Sequence, residues 1–460
     1  VEDGVESNFD SNFREFIARI SQIGLDRTAG QPLPATLAEC RQAVAAGAQM
    51  LPPIYGPAYA QPLQNKLELL YQQAKTPVPD LVEALTGAVY QHQPTSPMRA
   101  PLNRFLAVIS DLYQSFLDKQ KRQQANIPVD GVLPPLGMFM HSAQSGPFTI
   151  TAEKIKGLIG GSVGVVSLPA AYAADPVVWG SLAHETGGHD VTHADSGLLE
   201  ELAENTGAAF AGMAADASIP ASQLTLLWGH WMDEASADVY ALLNMGPAYA
   251  MNLAAFFAAL LTKGPYGTVR SQSGSDAQGV LDPHPTDILR PYLAIGAIEA
   301  LTSLSAGAKS MYTQQIERIV ALLAPAQDVQ ILGHIPLNEN SATEIRARIP
   351  MAYAADTARR AGRYIATHKL HALNGRSIQD IETWDDGDEA HAQKIKSNMI
   401  AQQSVAGMGD DAQLLAGATL ALLEQPELYD SVTSGLSDGL DESFRADPVW
   451  STAPGNTVGV

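Results

Sequence analysis

The stretch Ser181-Leu-Ala-His-Glu-Thr-Gly-Gly-His-Asp-Val-Thr-His-Ala-Asp195 decides how the rest of the chain is read. It holds three of the eleven histidines, His184, His189 and His193, with Glu185, Asp190 and Asp195 set among them. Imidazoles interleaved with carboxylates at this density offer the nitrogen and oxygen donors that bind divalent metal ions. The plain alternative is a polar helix face carrying unrelated histidines. Val177, Val178, Trp179 and Leu182 lead into the stretch as an apolar helical approach, and Asp175-Pro176 is a start signal for it.

Two further pieces lie downstream. Trp231-Met-Asp-Glu-Ala-Ser-Ala-Asp-Val-Tyr240 puts Glu234 and Asp238 on one face of a helix that is otherwise apolar through Trp231, Ala235, Val239, Leu242 and Leu243. Half-buried carboxylates stacked on one face repel unless a cation lies beside them, and a metal held by the histidines supplies one. An exposed surface pair is the alternative. The third piece is Asp282-Pro-His-Pro-Thr-Asp-Ile-Leu-Arg290. His284, between two prolines, sits on a stiff turn before a helix that carries Arg290. Together they suit an electrophilic or substrate-holding role. Alone, His284 reads as a helix-cap or hydrogen-bonding histidine.

Composition limits the setting. The 460 residues, 46% hydrophobic and 17% charged, allow a large core in two or three structural units, and the abundant alanine favours helices packed through small residues. A net charge of −21 argues against nucleic acid and against an anionic membrane surface. Cys40 is the one cysteine, so neither an internal disulfide nor a multi-cysteine metal site is expected, which fits a cytoplasmic setting. The first residue, Val1, reads as a processed or trimmed start with no basic-then-apolar leader. The longest apolar stretch, Val239 to Leu261, is interrupted by asparagines and by Gly246-Pro247. It reads as two buried helices and not as a membrane span.

Periodicity supplies the elements. Phe13, Phe16, Ile17, Ile20 and Ile23 predict a helix over 8–25, and helices follow near 36–50, 58–75, 79–92 and 99–125. Residues 1–130 are thus expected to form a helical N-terminal unit. Between 126 and 168, proline and glycine punctuate short β-prone runs, of which Phe148–Thr151 and Val163–Ser167 are the strand candidates. Helices are expected at 197–215, 222–244, 286–303 and 308–323, with a Gly/Ser-rich loop at 265–283 long enough to be a lid. Residues 340–445 read as helical again. Their acidic turn, Trp384-Asp-Asp-Gly-Asp-Glu389, is a solvated loop by preference and a calcium loop by alternative. The expected fold is mainly α with a small β-sheet. A metal-binding catalytic core over 131–310 lies between the N-terminal unit and a helical C-terminal unit at 311–460.

Taken in order, His184-Glu185 with His189, then Glu234-Ala-Ser-Ala-Asp238, then His284-Pro285 with Arg290, resemble the gluzincin zinc metallopeptidases, and within them the CAAX-prenyl-protease and HtpX-like branch. The resemblance covers roughly residues 145–300. It implies a zincin-like core and one zinc ion bound by His184, His189 and Glu234, with His193 a further ligand or a supporting residue. Glu185 is then the general base, Asp238 orients a ligand histidine, and His284 or Arg290 stabilises the oxyanion. It also implies a peptide or protein substrate and a strand at 163–167 lining the substrate cleft. His141 reads as a loop histidine, with access to the cleft as the alternative.

One departure matters. The family motif has two residues between the glutamate and the second histidine, and this chain has three, Thr186, Gly187 and Gly188. On a regular α-helix positions five apart are roughly 140° apart around the axis, against about 40° for positions four apart. A π-bulge realigns His184 with His189, and the Gly-Gly pair makes the distortion cheap. A straight stripe of Glu185, His189 and His193 needs no bulge and makes Glu185 a ligand. Three rival functions stay open. His189-Asp190 is similar to the centre of an HD-type phosphohydrolase, the acids and histidines together can build a di-iron site, and a degenerate peptidase can persist as a metal-binding scaffold.

Overall fold

The computed structural model describes residues 2–26, 30–73, 78–127, 133–140, 146–260, 267–323 and 328–447. It is mainly helical with two small sheets, as expected. The first helix, Glu2–Gly24, buries Phe13, Phe16, Ile17 and Ile20 completely or nearly so. It packs against helices Ala248–Ala259 and Asp411–Glu424, so the N-terminal, central and C-terminal segments share one continuous core. Helix Leu37–Gly47 starts at a capping box between Thr36 and Glu39, which satisfies two otherwise open backbone N–H groups.

The three-stranded sheet consists of β1 (Leu136–Met140), β2 (Phe148–Ile150) and β3 (Val165–Pro169) in the order β1-β3-β2. β1 runs parallel to β3 and β2 antiparallel to it. The strand expected to line the cleft is therefore the middle one. Val165 to Leu168 are all buried, as in a strand covered on both faces. β2, at the edge, is the strand that lies against the histidine cluster.

A second sheet was not expected. β4 (Val329–Asn338) and β5 (Ser341–Ile349) form an antiparallel hairpin, although residues from 340 onward are expected to be helical. Ile345, Ala347 and Ile349 are buried while Glu344, Arg346 and Arg348 are exposed, which is the period-two pattern of a strand. Part of the Gly/Ser-rich loop lies along β4 through bridges from Gln272 to Gln330 and from Val280 to His334.

Elsewhere most helices are close to those read from periodicity, but the one expected at 197–215 ends at Glu204 and is followed by a 3-10 turn, Thr206–Phe210, and the approach to the histidine stretch is a 3-10 turn, Pro176–Gly180. The predicted helix at 222–244 is two, Ala221–His230 and Met232–Met245, meeting at Trp231. Gly246, at φ 77°, and Pro247 separate the second of these from Ala248–Ala259, and both helices around that break are buried. Among the described residues no helix is long and apolar enough to cross a membrane. The acidic turn is a helix start: Asp385 caps Asp386–Ile400 in a box with Asp388, while Glu389 turns inward to Tyr312 and Trp384. Helices Leu289–Ala300 and Met351–Thr367 approach backbone to backbone, with Gly296 on the main chain of Arg359 and Gly362 on the carbonyl of Leu293. That close contact fixes the helix that presents Arg290.

Candidate metal centre

Residues Ala183–Asp190 form a π-helix that runs into a short α-helix, Val191–Ala194. The wider turn brings His184 and His189 to the same side, with ring centroids 4.7 Å apart and planes at 87°. Of the two geometries open from sequence, this is the distorted helix. The glycines contribute differently from expectation. Neither Gly187 nor Gly188 has positive φ. A Cβ on Gly188 would collide with the Cα and Cβ of Ala237, whereas one on Gly187 would meet Asn244 Nδ2 at 3.4 Å and Leu112 O at 3.8 Å. Gly188 is therefore required for close approach to helix Met232–Met245, and backbone freedom is not the reason.

That helix brings Glu234 to the histidines. Its Oε2 lies 3.1 Å from His184 Nε2 and its Oε1 lies 3.4 Å from His189 Nε2. His184, His189 and Glu234 each offer one donor atom, and these atoms all lie within 4.8 Å of one another. Two ligands at zinc-like bond lengths on a tetrahedral ion are about 3.4 Å apart. Glu234 Oε2 is buried and has no hydrogen-bond partner, although His184 Nε2 is close by. Glu234 is within ion-pair distance of both imidazoles, and a buried carboxylate oxygen that lacks a hydrogen bond is a position where a cation would be stabilised. Burial pushes the Glu234 carboxyl up, but the two imidazoles outweigh it and hold the group well below its usual range.

The outer nitrogens are fixed by carboxylates. His184 Nδ1 lies 2.9 Å from Asp238 Oδ1, and His189 Nδ1 lies 3.1 Å from Asp233 Oδ1. A carboxylate on Nδ1 orients each ring with Nε2 toward Glu234, and with a metal bound it would hold the proton on Nδ1 and free the Nε2 lone pair. Asp238 accepts in addition from Arg290 Nε at 2.6 Å, Arg290 Nη2 at 2.5 Å and Tyr249 Oη at 2.8 Å. Burial would raise the Asp238 carboxyl, and Arg290 and His184 hold it far below its ordinary value instead. Arg290 is itself buried, with its guanidinium 4.5 Å from the centroid of the Phe257 ring.

Glu185 is outside both metal-capable groups among the described residues. Its Oε2 lies 2.7 Å from the hydroxyl of Thr149, the middle residue of β2, and its charge is felt at His189. His284 is the most open of the predicted residues, with its side chain 40% exposed. Its Nε2 lies 3.1 Å from Glu234 Oε1 and its Nδ1 lies 2.6 Å from Asp282 Oδ1. His193 stands apart from the first group: its Nε2 lies 3.2 Å from Asp233 Oδ2, and with His189 and Asp233 it makes a second metal-capable group. Asp190 turns away, accepting from the Ala152 N–H at 3.2 Å, and burial raises its carboxyl to about 7. Asp195 forms a buried ion pair with Arg122. His141 lies outside the described residues.

Four supporting residues were not singled out from sequence. Asp233 and Asp282 lie in the stretches Trp231–Tyr240 and Asp282–Arg290, each within two residues of a predicted site residue. Thr149 is in a strand that was predicted, but its reach to Glu185 depends on which strand forms the edge. Tyr249, beyond the Gly246-Pro247 break in an apolar helix, carried no signal. No family model, curated protein or solved structure matches the chain.

Proposed function

We propose that this chain is a zinc-dependent hydrolase of the metallopeptidase type, with His184, His189 and Glu234 as ligands and Glu185 as general base. One observation carries the reading. The π-helical turn points the Nε2 atoms of two histidines at one buried carboxylate, and it seats the next residue, Glu185, on the hydroxyl of an edge-strand threonine. Two nitrogens and one oxygen with anchored outer nitrogens are a donor set that suits zinc and leaves a coordination position for substrate and water. Zinc, when bound, supplies carbonyl polarisation and a water acidic enough to attack at neutral pH.

The chain's own groups do the rest. Glu185 takes the proton of the attacking water and passes it to the leaving amine, while Thr149 holds the carboxylate in place. His284, anchored through Nδ1 by Asp282, places Nε2 at the open side of Glu234 and donates from there to the carbonyl oxygen as charge develops. Arg290 is too deeply buried to reach a substrate. It acts as a positioning residue on His184, directly with Nη2 3.1 Å from Nδ1 and through Asp238. The HD-type alternative loses support from Asp190, whose Oδ1 accepts from the Ala152 N–H at the start of helix Ala152–Ile159 and which belongs to neither metal-capable group among the described residues.

The test is Glu185→Gln in the full chain. Zinc content should stay near that of the native protein while peptide hydrolysis falls by about 10²–10⁴-fold, the usual worth of a general base. Loss of the ion in that variant would make Glu185 a ligand and overturn the assignment. Hydrolysis of phosphodiesters with none of peptides would overturn the reaction class.

A further inference from the structure

Helix Met232–Met245 presents two successive carboxylates, and they reach opposite sides of one ring. Glu234 Oε1 faces His189 Nε2 at 3.4 Å, and Asp233 Oδ1 faces His189 Nδ1 at 3.1 Å. Beyond the π-helix the chain returns to α geometry, which stacks His193 next to His189 on the same face. His193 Nε2 then meets the second oxygen of Asp233 at 3.2 Å. We propose that His193, Asp233 and Nδ1 of His189 form a second divalent-cation site, distinct from the His184–His189–Glu234 site and sharing His189 with it. The coupling between the two sites rests on the first group being a metal site.

The geometry supports it in three ways. One donor atom from each of His189, His193 and Asp233 lies within 4.8 Å of the other two, and the two carboxylate oxygens of Asp233 each face one of the rings. The group opens to solvent, with the Asp233 side chain 38% exposed and that of His193 27% exposed, so an ion can arrive and keep waters in its shell. The other ring nitrogen of His193 is 4.0 Å from Glu153 Oε2, on the side away from Asp233. The donors are harder to shield and more hydrated than those of the first group, so this is the weaker site.

Sharing His189 couples the two sites. A neutral imidazole has one lone pair to give at a time. With the first site filled, that lone pair is at Nε2, and Nδ1 carries the proton donated to Asp233. An ion on the second site takes Asp233 and claims Nδ1, which removes the group that orients His189 for the first. The two sites are therefore antagonistic, and the antagonism is reciprocal. Zinc beyond one equivalent would occupy the second site and loosen the first.

Zinc binding by competition with a chromophoric chelator tests this on the full chain. Wild type, His193→Ala, His184→Gln and the double variant are compared, with circular dichroism as a check of folding. His184→Gln should keep one zinc, bound more weakly than the native ion, and adding His193→Ala should abolish it. His193→Ala alone should keep the tight ion and lose the weak one. A folded His184→Gln variant that binds no zinc overturns the second site and leaves the first standing. An ion in His184→Gln that survives His193→Ala does the same. Native zinc lost in His193→Ala but retained in His184→Gln overturns the first site, and a wild-type chain without affinity for zinc overturns both. If His184→Gln does not fold, Glu234→Gln takes its place, with the same outcomes.

Discussion

Asp238 accepts from Arg290, Tyr249 and His184 at once, with 3% of its surface exposed. Its partner Arg290 is 4% exposed, so neither charge has water to fall back on. Breaking a buried pair by removing one partner costs about 3–5 kcal/mol, most of it the penalty of the charge left behind. Asp238→Asn should therefore lower the stability of the metal-free chain by that amount, read from urea unfolding in the presence of a chelator. It should also weaken zinc binding by roughly 10–100-fold, the usual loss when a supporting carboxylate is taken from a ligand histidine. A variant that is destabilised but binds zinc normally would limit Asp238 to holding the fold. The spacing of Glu234 and Asp238 was readable because two acids on an apolar helix face need a cation. That Arg290 would be buried behind Asp238 was not readable, because a sequence shows which residues recur on a face and not how deep that face lies.

At the level of elements the site depends on the π-helix, and the two glycines in it make separable predictions. Gly188→Ala must push its methyl into Ala237 of the facing helix. Overpacking of that kind costs about 1–3 kcal/mol, and here it also moves His189 away from Glu234, so both the melting temperature and zinc affinity should drop. Gly187→Ala meets only ordinary contacts with Asn244 and Leu112 and needs no positive φ. It should be neutral or add up to about 1 kcal/mol, because the unfolded chain loses freedom. Equal losses from both substitutions would mean that the distorted turn needs glycine for its backbone after all. The insertion itself made a π-bulge legible. The reason for Gly188 was hidden, since Ala237 is far away in sequence and its methyl side chain gives no sign of a close approach. The β4–β5 hairpin was missed for a different reason: Ser341–Ile349 contains Ala, Glu and Arg, which are good helix formers, and the alternation of Ile345, Ala347 and Ile349 outweighs them only once a core covers one face.

For the whole molecule, some of the acidic residues behind the net charge of −21 are internal. Asp111, on helix Arg99–Leu117, faces the start of helix Asp411–Glu424, where its Oδ2 accepts from the Ala412 N–H at 3.0 Å. Burial, reinforced by Asp410 and Asp411, raises the Asp111 carboxyl well above its usual range. Burial likewise raises Asp411, which is 4% exposed and has one oxygen without a hydrogen-bond partner, and it lifts Glu382 to about 7. Asp111 and Asp411 lie where an N-terminal and a C-terminal helix meet, so their ionisation bears on how those segments pack. For a carboxyl whose folded pKa is raised, the folded state binds more protons than the unfolded state between the two values, and stability falls as pH rises through that window. The cost is complete above the folded value and absent below the unfolded one, and it grows by about 1.4 kcal/mol for every tenfold difference in proton affinity between the two states. Asp411→Asn removes one such group without changing its size. With chelator present throughout, it should be more stable than wild type by a few kcal/mol at pH 8, on the scale that this relation sets. The advantage should shrink as pH falls through about 7, the value to which burial raises Asp411, and vanish near about 4, the ordinary aspartate value. An advantage that does not change with pH would mean that Asp411 destabilises by its unpaired oxygen alone and not by its charge.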